Sequence, residues 1–287
     1  MMDLRPTLEI VSLTDPGKTR SQNEDKIATD DEAGFVILAD GMGGYNAGEV
    51  ASGIAVTMLA DGLKTALHAG PPEQGPSQQV KNEIEKANGA IYQMAQSQPQ
   101  FSGMGTTLVC ALFHDNRITV AHVGDSRLYR YRQTDPEPIG TEPAQLEQIT
   151  RDHSLLQEQI DRGRISREDA RLSSKTNVVT RALGVKPTVD VEVQEHEVLP
   201  GDIYLLWSDG LNDMVDDEGI LLTLIVFGTN LELAAQQLVQ MANDNGGQDN
   251  ISVILVRILH TFPARPGIFS WASAWLKKID AWFTNMV

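Results

Sequence analysis

Phe35-Val36-Ile37-Leu38-Ala39-Asp40-Gly41-Met42-Gly43-Gly44 is the stretch on which the fold of this chain turns. Five apolar residues in a row, bounded by glycine, read as a short buried strand. It ends in a carboxylate, and three of the next four residues are glycine, which frees the backbone for unusual angles or close approach. Two readings stand at this point: a site for a hard cation or a phosphate, or a tight turn capped by Asp40.

Working outward, three further acids lie at the boundaries of apolar strands. Asp209 ends Tyr204-Leu205-Leu206-Trp207-Ser208 and precedes Gly210, repeating the Ala39-Asp40-Gly41 pattern. Asp249 precedes Asn250 and the run Ile251–Val256, and Asp125 lies between two strands in Gly124-Asp125-Ser126-Arg127. A charge at the end of a buried strand is costly unless it is paired or binds a cation. A carboxylate set without Cys or His suits Mg²⁺ or Mn²⁺ rather than Zn²⁺. Two such ions about 3.5–4 Å apart could share one carboxylate and lower the pKa of a water between them.

The pattern around these acids predicts strands near 8–14, 27–29, 106–113, 118–123, 127–132, 146–150, 189–193, 203–207 and 251–259. Helical spacing predicts helices over 48–68, 80–95, 216–227 and 231–243. Between them, 154–171 is helical but charged, with Ser154/Gln157 and Ser166/Asp169 as candidate starts, and it reads as a lid or a surface helical hairpin. Runs of strands with paired helices, rather than strict βαβ alternation, favour an α+β layered sandwich.

The net charge of −16 argues against a nucleic-acid or anionic-membrane surface as the main partner. The single cysteine, Cys110, sits in an apolar run, so neither a disulfide framework nor a Cys-based zinc site is expected. The opening Met-Met-Asp-Leu-Arg-Pro lacks the apolar core of a signal peptide, and no uninterrupted run of about 20 apolar residues occurs. A cytoplasmic setting is the expectation.

Arg20 with Asn23-Glu24-Asp25, then Asp40-Gly41-Met42-Gly43-Gly44, Gly105-Thr106-Thr107, Gly124-Asp125-Ser126-Arg127, Thr150-Arg151-Asp152-His153-Ser154, Thr180-Arg181-Ala182-Leu183-Gly184, Ser208-Asp209-Gly210-Leu211 and Asp249-Asn250-Ile251-Ser252 occur in this order. Together they resemble the ordered motifs of the metal-dependent protein serine/threonine phosphatases, the protein phosphatase 2C (PPM) family, over residues 8–258. The resemblance implies a four-layer αββα sandwich, a central β-sandwich flanked by pairs of antiparallel helices, with a phosphatase domain over 1–259 and a flap near 154–187. It implies two Mn²⁺ or Mg²⁺ ions, with Asp40 bridging them, the Gly41 carbonyl on one, and Asp209 and Asp249 on the other. Asp125, with Asp209, matches a third-metal site of bacterial members. Glu24 and Asp25 would orient waters from behind the ligands, and Arg20 would grip the phosphate. The implied reaction is hydrolysis of phosphoserine and phosphothreonine by a hydroxide bridging the metals, on phosphoprotein substrates and opposite Ser/Thr kinases. Position 42 is Met where many eukaryotic relatives carry a histidine that serves as the acid, and Met has no proton to give. His153 reads as a satisfied structural residue ahead of an acid.

A non-catalytic signalling module on the same fold is the alternative function. An Asp-x-Asp phosphatase is excluded, because Asp40 is followed by Gly-Met. Residues 260–287 hold three of the four tryptophans. In a helix, Ile268, Trp271, Trp275, Ile279, Trp282 and Met286 would form one apolar face. Docking of that helix on its own domain, on a partner or on a membrane surface stays open.

Overall fold

The structure is a computed structural model and describes residues 3–44, 47–70, 74–133, 144–166, 169 and 178–262. Two five-stranded antiparallel sheets face each other. One runs β1 (Leu8–Asp15), β12 (Ile251–Ile258), β11 (Ile203–Trp207), β8 (Arg127–Gln133), β9 (Ala144–Gln148); the other runs β10 (Glu192–Glu197), β7 (Arg117–Val123), β6 (Leu108–His114), β3 (Phe35–Ala39), β2 (Lys26–Asp30). Helices α1 (Ala47–Ala69) and α2 (Pro76–Ser97) cover the outer face of the β3 sheet. Helices α5 (Asp217–Phe227) and α6 (Leu231–Asp244) cover the outer face of the β11 sheet. The architecture is the expected αββα sandwich.

The side-chain alternation of the strands shows why their sequences are apolar without a break. In β3, Phe35, Ile37 and Ala39 face α1 and α2, while Val36 and Leu38 face the opposing sheet. In β11, Ile203, Leu205 and Trp207 meet α5 and α6, and Tyr204 and Leu206 turn inward. A strand with protein on both sides has no polar face to alternate with. Helix α1 presents Ala51, Ala55, Leu59 and Leu63 at four-residue spacing to its sheet. It is the one helix, among the described residues, long and apolar enough by composition to cross a membrane, yet this face is packed in the core. Helix α5 is capped by Asp216, which accepts from Gly219 N at 2.9 Å, and α6 by Asn230, which accepts from Leu233 N at 3.1 Å.

Several expected bounds move. The apolar run 189–193 is packed through Val189 and Val191, but ladder pairing begins only at Glu192 opposite His122. Strand β9 ends at Gln148 because Thr150 turns inward, its Oγ1 accepting from Leu128 N at 2.9 Å. In 154–171, α3 covers only Leu155–Asp161 and gives way to Gly163 at φ +63°. The second start is present as Ser166 Oγ accepting from Asp169 N at 2.9 Å, and residues 170–177 lie outside the described residues. Within 154–187, the return segment is anchored: Leu183 bridges Thr106, and Asn88 accepts from Gly184 N and donates to the Lys186 and Pro187 carbonyls. The expected tail helix over 268–287 lies outside the described residues.

Candidate active site

Strand register brings the four strand-end acids to one end of the sandwich. Trp207 pairs with Val253 and with Arg127, Leu108 with Val123, and Leu38 with Val109. The end of β3, the β7–β8 turn, the end of β11 and the start of β12 therefore coincide, and Asp40, Asp125, Asp209 and Asp249 converge there. Asp15 pairs with Ile251 and Lys26 with Ala39, so the loop that carries Arg20, Glu24 and Asp25 closes over the same end. The acids singled out in the sequence, with Arg20 and Gly41, are brought to this place.

Asp209 is the first residue of a four-residue helix, α4 (Asp209–Asn212), too short to leave a periodic signature. Backbone pairing sets Asp40: its N–H donates to Thr107 Oγ1 (3.1 Å), and its carbonyl accepts from Thr107 N and Thr106 Oγ1 (2.8 Å each). That is the role of the Gly105-Thr106-Thr107 motif. Gly41, in β4 (Gly41–Met42), pairs with Thr106 of β5 (Gly105–Thr106). A Cβ on Gly41 would fall 2.2 Å from the Gly48 carbonyl oxygen, so only glycine lets α1 approach this strand. Asn250 is a hub that sequence reading missed: its Oδ1 accepts from Glu24 N (2.8 Å), and its Nδ2 donates to the Pro16 and Gln22 carbonyls. Its partners lie more than 200 residues away in the chain, where no local pattern reaches.

Asp25 is buried. Its Oδ2 accepts from Ser208 Oγ (2.7 Å) and Ser252 Oγ (2.6 Å), while its Oδ1 is buried without a partner. Asp125 is buried as well, and its Oδ2 has no partner. Arg20 reaches across from its loop to place Nη2 2.7 Å from Asp249 Oδ2, at the solvent-exposed rim.

So many carboxylates in one place repel. Burial first, then the charges of Asp209, Asp25 and Asp125, push Asp40 well above the carboxylate range. Burial first, then Asp125, Asp213 and Asp249, push Asp209 up to about 7. Burial raises Asp25 and Asp125 to about 6 each, with Asp249 adding to the first and Asp152 to the second. Asp213, just past α4, is raised by burial and Asp249 and joins the cluster unanticipated. Such a cluster is stable with its acids ionised only when cationic charge enters it. The cluster fits a hard divalent ion: its donors are carboxylate oxygens and the Gly41 carbonyl, and two of its carboxylates are buried with an unused acceptor.

His122, His153 and Glu192 form a second group of potential ligand atoms, all within 4.8 Å of one another. Its hydrogen bonds give it a different character. His153 Nδ1 accepts from Gly124 N at 3.1 Å, which leaves the ring proton on Nε2, facing Glu192 Oε2 at 3.4 Å. The Arg181 guanidinium lies 3.5 Å from the same Nε2. His153 is a satisfied buried residue, in keeping with its expected structural role.

The protein phosphatase 2C family model matches residues 18–253. Over 246 residues, 85% of this chain and 93% of the relative, the sequence is 37% identical to the serine/threonine phosphatase stp of Listeria welshimeri. The structure of the serine/threonine phosphatase PstP/Ppp of Mycobacterium tuberculosis superposes with a TM-score of 0.76 at 35% identity, covering 88% of this chain and all of that one. A structure of the PstP catalytic domain in complex with two manganese ions superposes with a TM-score of 0.75 at 34% identity, covering 88% and 99%.

Proposed function

The chain belongs to the protein phosphatase 2C family and is a protein-serine/threonine phosphatase; from that premise we propose that its carboxylate cluster, loaded with divalent cations, hydrolyses phosphoserine and phosphothreonine in proteins that Ser/Thr kinases have modified. The observation that carries this reading is the pair of buried, unpartnered carboxylate oxygens on Asp25 and Asp125, within a cluster of raised acids. Asp40, the Gly41 carbonyl, Asp209 and Asp249 would hold two ions, Mn²⁺ or Mg²⁺, and Asp125 with Asp209 a third. PstP, similar over nearly the whole described fold, holds two manganese ions. Bound there, such ions supply positive charge to the phosphate and lower the pKa of water.

The chain's own groups do the rest. Arg20 sits at the exposed rim, its Nη2 2.7 Å from Asp249 Oδ2, with a planar fork matched to phosphate oxygens. Asp25, locked through Oδ2 by Ser208 and Ser252, keeps Oδ1 free to accept from water and fix its orientation. Glu24 stands beside it, fixed at its backbone N–H by Asn250. Burial raises the Glu24 carboxyl above its ordinary value. No cysteine nucleophile takes part: Cys110 is buried in β6, and burial pushes its thiol up to about 12. Met42 offers no proton and the His153 Nε2–H is turned to Glu192, so the leaving alkoxide takes its proton from ordered water. Arg20, Glu24, Asp25, Asp40, Asp125, Asp209 and Asp249 are all in place, and no observation favours a non-catalytic module.

The test is hydrolysis of p-nitrophenyl phosphate and a phosphothreonine peptide with Mn²⁺, its loss in chelator, and its loss in Asp209→Asn. Turnover by a folded Asp209→Asn protein at the wild-type rate would overturn the assignment of the cluster.

A further inference from the structure

We propose that His153 is the positioning residue for Asp125, pinning the turn that carries this carboxylate to the return of the 154–187 segment. The inference rests on the reading of Asp125 as a cation-binding acid.

Asp125 needs such a support. Its Oδ2 has no hydrogen-bond partner, so that oxygen is aimed by the backbone rather than by a bond of its own. The residue before it, Gly124, has φ +110°, and a Cβ there would fall 2.6 Å from Thr107 Cβ. One wall of the turn is thus Thr107, whose backbone and hydroxyl also fix Asp40. The other wall is His153, and it takes both backbone groups of Gly124. The His153 N–H donates to the Gly124 carbonyl (2.9 Å), and the Gly124 N–H donates to His153 Nδ1 (3.1 Å). Thr107 holds both backbone groups of Asp40 in the same way, through its N–H and its hydroxyl.

The ring itself is held from every side. His122 stacks on it with centroids 4.7 Å apart and planes 21° apart, and His122 Nε2–H is fixed by the Arg151 carbonyl at 2.8 Å. Glu192 and Arg181 face its Nε2. Burial and His122 push the imidazole down to about 4, which keeps the Nδ1 lone pair available to Gly124 at neutral pH. At the main chain, the His153 carbonyl accepts from Thr180 N (2.7 Å), and Ser154 bridges Val179. His153 is therefore the point where both ends of the 154–180 excursion meet the Asp125 turn.

The test compares His153→Phe, which keeps the stack on His122 but has no acceptor for Gly124, with His153→Asn, whose Oδ1 can replace Nδ1. We expect the Phe variant to fold, to lose kcat about tenfold with KM little changed, and to bind fewer Mn²⁺ ions by equilibrium dialysis, with Asn recovering most of both. Wild-type kcat and Mn²⁺ binding in the Phe variant, or an Asn variant as impaired as Phe, would overturn the proposal. Amide exchange at Gly124 in the wild-type protein reads the clamp without any cation: slow exchange is expected, and exchange as fast as in an open loop sinks the idea even if the Phe variant fails to fold. Asp125→Asn separates the two claims. If it leaves Mn²⁺ binding unchanged, the cation reading of Asp125 is wrong, whereas accelerated Gly124 exchange in the Phe variant still reports the clamp.

Discussion

At the scale of single residues, the cluster trades stability for function, and the sign of that trade can be measured. In the cation-free protein Asp209 is raised by burial and neighbouring carboxylates from 3.8 to about 7. A carboxyl whose folded pKa lies above its unfolded value binds its proton more tightly in the native state. Its stabilising contribution is present below pH 4 and is lost as pH rises through about 7. Asn mimics the neutral form at every pH. In chelator, Asp209→Asn should therefore melt above the wild type, by a gap that is small near pH 4, widens toward pH 7 and is level beyond it. Taking the difference removes the opposite contribution of His153, whose depressed folded pKa costs stability on the acid side. A gap that is independent of pH would show that Asp209 does not feel the other acids. These acids were legible in the sequence because a charge where an apolar strand stops is conspicuous. Ser208, Ser252, Thr107 and Asn250 were not, because small polar residues at such places are common and their partners are distant in sequence.

At the scale of elements, the contact that places the first helix against the site is made by two glycines. A Cβ on Gly48, in the first turn of α1, would fall 2.7 Å from the Gly41 carbonyl carbon and 2.9 Å from the Glu24 side chain. Ser52, one turn on, donates to the Glu24 carbonyl. Gly48→Ala should thus push α1 off β4 and shift the Gly41 carbonyl and Glu24 together. The overpacking should lower stability by roughly 1–3 kcal/mol in urea unfolding, with Mn²⁺ affinity falling in the same variant. An alanine variant of unchanged stability and affinity would mean that the approach of α1 is not what sets this corner. Elements with a long period were legible: α1, α2, α5 and α6 each bury one stripe, and β3, β11 and β12 are apolar on both faces. Those that moved or escaped notice, α4, β4, β5 and the start of β10, are defined by hydrogen bonding over a few residues, where apolar pattern and pairing need not coincide.

At the scale of the whole molecule, the site and the closing seam of the domain lie at opposite ends of the sandwich. The sequence pattern places the domain end at residue 259, and the described chain, exposed at Leu259, His260 and Thr261, returns to the core at Phe262. Phe262 is 4% exposed among the residues between the sheets, and its N–H donates to Asn116 Oδ1 at 2.6 Å. Asn116 belongs to the β6–β7 hairpin, where Asp115 and Asn116 both take positive φ, and that hairpin is the far end of the strands that carry Asp125. Ending the chain after Phe262 should therefore leave both the unfolding midpoint and Mn²⁺-dependent turnover of p-nitrophenyl phosphate close to those of the full chain. Ending it after His260 removes the Phe262 side chain and leaves its site in the core unfilled. That should cost roughly 3 kcal/mol of stability, while turnover per folded molecule stays the same, because the cluster is set by strand register at the other end. If the cut after His260 leaves stability unchanged, Phe262 is no part of the core; if the cut after Phe262 unfolds the chain, residues 263–287 belong to the catalytic domain and its boundary lies further on.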